Sequence, residues 1–260
     1  MLLDLLRGVA ALLVLLEHWR NLLFIDYPQL PLSLRHWLLL PYLLCSAGHQ
    51  AVIIFFVMSG YLISASVFRM IDRSTWTWPL YLTHRLLRLW VVLIPGLLLC
   101  TLWDNIGVHS SLTAAVYGGY SNNHITHDIR ATLNLPTFLG NLVFLQGIVT
   151  NSYGSDGALW SLAYEFWYYI LFPLGLFALR RQTKTSFRLL FLVLFALVAW
   201  FVYPWILLYF PIWLTGTALA LMPLPACGLR PASRPALCMS FSSLPAQRTG
   251  FSPALRTTIC

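Results

Sequence analysis

Apolar stretches near the length of a bilayer crossing recur along the chain, at about 5–24, 50–68, 86–103, 159–179, 187–203 and 205–222. A chain of 260 residues that is 59% hydrophobic and 9% charged, with mean hydropathy +0.74, has no polar shell large enough to cover a soluble core. Period-two alternation is missing, which excludes a membrane β-barrel. The reading is therefore an all-α, polytopic transmembrane helical bundle with about six spans. The first run is no cleavable leader: Asp4 offsets Arg7, and Glu17-His18-Trp19-Arg20 closes it without a small-residue cleavage site. The net charge of +8 does not point to nucleic acid, because no soluble basic domain presents it. Cys45, Cys100, Cys227, Cys238 and Cys260 show neither paired nor metal-ligand spacing.

Basic residues are uneven between the connections. Arg69, Arg73, Arg85 and Arg88 flank one loop, and Arg180, Arg181, Lys184 and Arg188 fill another, so both loops are expected in the cytoplasm. The N-terminus is then inside and the loops 25–49 and 104–158 outside. Phe138–Val149 is apolar but too short to cross, and reads as a re-entrant or interfacial segment packed against protein. Pro204 marks a tight turn between the last two spans. Residues 1–222 form the membrane core. Residues 223–260, rich in Pro, Ser and Arg, are expected to be a disordered tail, and their abrupt change of composition resembles a truncation or an altered reading frame.

Arg7 and His18 lie 11 residues apart, about three turns at about 3.6 residues per turn, and share one stripe of the first helix. Ionisable groups inside a membrane face a bundle interior or a wet cavity and mark function; the plainer alternative is that Arg7 snorkels to the headgroups. The chain has two glutamates, Glu17 and Glu165. Ser161, Glu165, Tyr168 and Tyr169 share a polar face of the fourth span. Counted along their own helices, His18 and Glu165 both fall in the outer half of the membrane. Imidazole and carboxylate at one depth suit general acid–base work, or a structural bond between two helices. At the opposite end stand Arg7, His84, Arg85 and Arg88, and guanidinium forks match phosphate oxygens. The Ser59-Gly60 step allows close helix approach, with Tyr61 lining a cavity. Asp104, His109, His124, His127, Asp128, Arg130 and Asp156 are placed in outer loops, where a polar acceptor could be held, and a His124/His127/Asp128 metal site is disfavoured.

With those residues in hand the chain resembles the acyltransferase-3 family of membrane O-acyltransferases. The matching pieces are Leu3-Asp4-Leu5-Leu6-Arg7-Gly8-Val9-Ala10-Ala11 through His18, then Phe55-Phe56-Val57-Met58-Ser59-Gly60-Tyr61-Leu62-Ile63. His84-Arg85-Leu86-Leu87-Arg88-Leu89, Asn141-Leu142-Val143-Phe144-Leu145 and Trp160-Ser161-Leu162-Ala163-Tyr164-Glu165 follow in order. The resemblance implies transfer of an acyl group, usually acetyl from acetyl-CoA, to a hydroxyl of a cell-surface polysaccharide or a lipid-linked glycan. It implies residence in the bacterial inner membrane, no metal and no nucleic-acid partner. His18 would be general base, Glu165 would orient it, and Arg7 would help hold the donor. Arg85, Arg88, His84, Ser59 and Tyr61 would bind acyl-CoA, and Trp160, Ser161 and Asn141 would position substrate. The family usually has about ten spans, each of about 20 residues, and this chain has about six. The competing readings are a proton or anion transporter, which would favour two repeats with broken helices, and an inactive fragment of the acyltransferase.

Overall fold

The computed structural model of the chain describes residues 2–119 and 128–222. The expectations for the tail and for His124 and His127 lie outside the described residues. Among the described residues the fold is all-helical, with one isolated bridge between Gln146 and Thr150. In chain order the helices are α1 (Leu2–Leu23), α2 (Leu32–Leu44), α3 (Gly48–Asp72), α4 (Trp78–His109), α5 (Ala114–Tyr117), α6 (Leu135–Leu142), α7 (Leu159–Leu179), α8 (Thr185–Phe201) and α9 (Trp205–Leu221).

The stretches Leu32–Asp72, Trp78–His109 and Leu159–Leu179 are long and apolar enough to cross a membrane, and α8 and α9 are shorter apolar helices. At about 1.5 Å per residue α1 is about 33 Å long, enough to cross. The outward faces are hydrocarbon: Val91 on α4 is 71% exposed and Leu189 on α8 is 60% exposed. Water would penalise such faces, whereas lipid does not. Pro95, Pro173 and Pro211 sit inside α4, α7 and α9, tolerated where neighbouring helices satisfy the freed carbonyls.

Helices α3 and α9 make the closest crossing. A Cβ on Gly60 would fall 2.0 Å from the Trp213 carbonyl oxygen, and one on Gly216 would fall 2.0 Å from that of Val57. Backbone meets backbone here, and only glycine fits. Helix α7 lies inside the bundle against α3, α4, α8 and α9, with Tyr168, Tyr169 and Leu171 fully buried. Helix α1 packs on α3 alone among its major partners.

Two loop expectations are corrected. The segment 25–49 contains helix α2, and α4 continues to His109, which brings Asp104 into a helix and buries it at 1% exposure. The segment 138–149 is the end of α6 followed by a turn, and it does pack against protein. The indole N–H of Trp90 donates to the Leu142 carbonyl (3.0 Å) and that of Trp167 to the Phe144 carbonyl (2.9 Å). Helix-end carbonyls that lipid would leave bare are thereby satisfied. Val202–Pro204 turns the chain between α8 and α9.

Candidate active site

The register of the bundle decides which polar groups share a depth. A Cβ on Gly48, the first residue of α3, would sit 2.0 Å from Glu17 Oε2, so the top of α1 is level with the start of α3. Because α1 and α3 also pack along their length, they run antiparallel. Ser59 is 11 residues further down α3, about 16 Å at about 1.5 Å per residue. Arg7 is 10 residues down α1 from Glu17, about 15 Å, and therefore stands at the height of Ser59.

Glu165 belongs to this lower storey. Its Oε1 accepts a hydrogen bond from Ser59 Oγ (3.0 Å) and another from the Tyr169 hydroxyl. Trp213 Nε1 donates to Ser59 Oγ at 3.3 Å, tying α9 into the same knot. Among the described residues no hydrogen bond joins Glu165 to His18. The common depth expected from counting along the two helices is corrected: Glu165 lies about 16 Å below the His18 level.

His18 is exposed near the upper end, and its Nδ1 is 2.8 Å from the Val14 carbonyl oxygen. A carbonyl only accepts, so Nδ1 carries a proton, and in the neutral tautomer this fixes, the lone pair stands at Nε2. The charge of His18 acts on Asp156, on the loop before α7. Burial, the dominant influence, raises the Asp156 pKa, while the Ala158 N–H on Oδ1 (3.2 Å) and the charge of His18 oppose that rise.

That loop is pinned from below. Asp104 Oδ2 accepts from the Ser155 N–H (2.7 Å) and Oδ1 from the Ser155 hydroxyl (2.7 Å), with Cys100 Sγ 3.1 Å away. Gly154, at φ +59, presses so close that its Cβ would fall 2.1 Å from Asp104 Oδ2. Asn141, 0% exposed, spends its amide on backbone: Nδ2 donates to Thr137 O (2.8 Å) and Asn151 O (2.9 Å), and Oδ1 accepts from Tyr153 N (3.2 Å). Asn141 thus touches the loop, and any effect it has on substrate passes through that loop.

Below the Glu165 storey lies Arg85. Its guanidinium donates to Ser66 Oγ (2.9 Å) and stands 5.5 Å from the Tyr81 ring and 6.0 Å from the Tyr169 ring. Arg85 Nε is buried with no partner among the described residues. Arg88 and His84 are exposed, and the Arg88 charge reaches Tyr169. Tyr61 is half-buried on the turn after Ser59. Ser161 spends its hydroxyl on the Ala158 carbonyl (3.1 Å) at the start of its own helix, while Trp160 joins an aromatic group with His49 and Tyr209. A separate apolar cavity of about 290 Å³ between the end of α1 and α2 is lined by Leu16, Trp19 and Tyr42 among others, and by none of the expected site residues.

Sequence reasoning placed Asp104 and Asp156 in the outer loops without tying either to His18 or to the other, and it did not single out His49 and Tyr209. The one usable signal was Gly154 and Gly157 around an acid just before an apolar helix, a turn that aims a side chain.

The fold and the site define an integral-membrane helical protein with a polar column in its bundle: cation low, carboxylate midway, imidazole at the top. The chain belongs to the acyltransferase-3 family, whose sequence model, described as an acyltransferase domain, matches residues 2–241. That match runs into the segment set apart above as a tail. No curated protein and no solved structure matches the chain.

Proposed function

We propose that the protein transfers an acyl group, acetyl by preference, from cytoplasmic acyl-CoA to a hydroxyl of an exported or cell-surface carbohydrate at the bacterial inner membrane. The observation that carries this reading is the vertical order of the column. Arg85 near the positive-inside end suits a phosphorylated donor, and His18 with its Nε2 open stands where an external hydroxyl would arrive.

In this scheme Arg85, Arg88 and His84 hold donor phosphates at the cytoplasmic mouth, and Ser59, Tyr61 and Arg7 flank the arm that carries the thioester upward. His18 Nε2 takes the proton of the acceptor hydroxyl as its oxygen attacks the thioester carbonyl. The carbon–sulfur bond breaks, and the departing thiolate takes the proton from the imidazolium. The Val14 carbonyl holds the ring in the required tautomer, and Asp156 stabilises the transient imidazolium. Glu165, fixed by Ser59 and Tyr169, acts below, balancing the Arg7 charge at the same height.

Transfer of label from acetyl-CoA to glycan in membrane vesicles tests the scheme. His18→Ala abolishes transfer with membrane insertion unchanged, and Arg85→Ala with Arg88→Ala removes acetyl-CoA binding. Label transfer retained in His18→Ala would overturn the assignment.

A further inference from the structure

At the upper mouth, outside the column, four rings from three helices close on one another. The His49 ring lies 6.2 Å from that of Trp160 at an interplanar angle of 28°, nearly parallel. Tyr209 meets His49 edge-on at 6.1 Å, with its hydroxyl 3.3 Å from His49 Nε2. Tyr164 stands 5.0 Å from Trp160 and 5.9 Å from Tyr209. Phe56, 3% exposed, forms the floor beneath Trp160, Tyr164 and Tyr209. His49 follows Gly48, whose contact with Glu17 sets this cluster at the height of His18.

Interfacial aromatic belts are Trp and Tyr side chains turned to headgroups. These rings instead pack between α3, α7 and α9, and beyond the Tyr209–His49 hydrogen bond part of their polar rim is unspent. His49 is exposed, Trp160, Tyr164 and Tyr209 are half-buried, and neither Trp160 Nε1 nor the Tyr164 hydroxyl has a hydrogen-bond partner among the described residues. Asp156, four residues before Trp160, keeps its second carboxylate oxygen uncommitted.

Flat apolar faces edged by donors and acceptors complement a molecule with an apolar face and a rim of hydroxyls. A hydrocarbon tail would leave the Trp160 indole N–H, the Tyr164 phenol and the second Asp156 carboxylate oxygen unpaired. An anionic ligand would meet Asp156 and Glu17 with no arginine or lysine in the cluster. We propose that His49, Trp160, Tyr164 and Tyr209 form the acceptor subsite and that it takes an uncharged pyranoside ring, stacked on Trp160 with its hydroxyls toward Asp156 and Tyr209. This rests on the acyltransferase reading above, and it adds both the residues that hold the acceptor and the exclusion of acidic sugars.

Saturation-transfer NMR on the full chain in nanodiscs, with methyl β-glucopyranoside, methyl β-glucuronide and acetyl-CoA as separate probes, tests it. The expected result is saturation of one face of the glucoside ring and none of the glucuronide. Trp160→Ala weakens glucoside binding about tenfold or more while the acetyl-CoA signal persists. Tyr209→Phe, which keeps the ring and loses only the hydroxyl, weakens it several-fold and guards against a folding defect. Asp156→Asn admits the glucuronide. Glucoside binding unchanged in Tyr209→Phe and in folded Trp160→Ala, or equal wild-type binding of both sugars, overturns the subsite. Acetyl-CoA binding without glucoside binding also overturns it and leaves the acyltransferase scheme standing. Failure of acetyl-CoA itself to bind strikes that scheme instead.

Discussion

If Glu165 belongs with Ser59 and Tyr169 and not with His18, thermodynamic coupling should follow that grouping. The perturbations are Glu165→Gln, Tyr169→Phe and His18→Ala, singly and in pairs, read as unfolding free energy in mixed detergent micelles. Tyr169 donates directly to Glu165 Oε1. Hydrogen bonds to charged groups contribute about 1.5–3 kcal/mol in soluble proteins; this one joins two residues four apart on α7, and even side-chain bonds between membrane helices reach at most about 1.7 kcal/mol in double-mutant cycles. The Tyr169/Glu165 cycle should therefore show about 1–2 kcal/mol of coupling. The His18/Glu165 pair is separated by the depth between Gly48 and Ser59, about 16 Å. Sites more than about 7–10 Å apart with no shared partner add to within about 0.5 kcal/mol. Even two full charges at about 16 Å interact by only about 1 kcal/mol at an effective dielectric of about 20. The expected ordering is a clear coupling for Tyr169 and near-additivity for His18. A His18/Glu165 coupling equal to or larger than that of Tyr169/Glu165 would refute the register and restore an imidazole–carboxylate pair.

Other perturbations probe the frame around the column. Gly216→Leu should part α3 from α9, because even a Cβ would fall 2.0 Å from Val57 O; overpacking of this kind costs about 1–3 kcal/mol or more, visible as a lowered Tm in detergent. Gly154→Ala combines a left-handed φ of +59 with a Cβ 2.1 Å from Asp104 Oδ2, and should destabilise by more than about 1 kcal/mol. Asp104→Asn loses a charged acceptor for both Ser155 donors and should loosen the loop, read as faster amide exchange at Ser155. The raised pKa of Asp156 means that the folded chain keeps this proton at a pH where the unfolded chain, near 3.8, has lost it. Its stabilising contribution is full below 3.8 and is lost as pH climbs through the higher folded value. Asp156→Asn should therefore gain in Tm over the parent as pH rises above about 4, and a constant difference across that window would contradict the burial.

The long helices were legible because lipid selects for length and hydropathy, properties a window of sequence carries without knowledge of partners. The expected runs near 50–68, 86–103 and 159–179 fall inside α3, α4 and α7. Helix α2 was hidden because thirteen residues interrupted by Arg35, His36 and Pro41 satisfy neither a span nor a clean amphipathic pattern. Asp104 was placed in a loop for a related reason. Acids are expected outside an apolar run, yet this one sits inside the last turns of α4 and holds Ser155 with two bonds, which offset the cost of its burial. The role of Ser59 was half-visible: Gly60 beside it does mark a close helix crossing, while the glutamate it serves lies 106 residues away.

Depth was the property a count along single helices gets wrong, and the cause is specific. Glu165 is six residues into α7, about 9 Å below its start, and Ser59 is eleven into α3, about 16 Å below its start. The bond between them therefore requires α7 to begin about 7 Å deeper than α3. The segment Tyr153–Ala158 fills that step, held up by Asp104 and Asn141. A lowered α7 does two things at once. It draws Glu165 away from the imidazole toward the arginine end, and it leaves Asp156 and Trp160, beside the start of α7, at the height of His18 and His49. The same offset that separates the expected pair thus brings Asp156 and Trp160 to the level of the proposed acceptor subsite. A chain with the 153–158 segment shortened by two residues would be expected to lose acceptor binding before donor binding, and loss in the reverse order would show that the step has no such role.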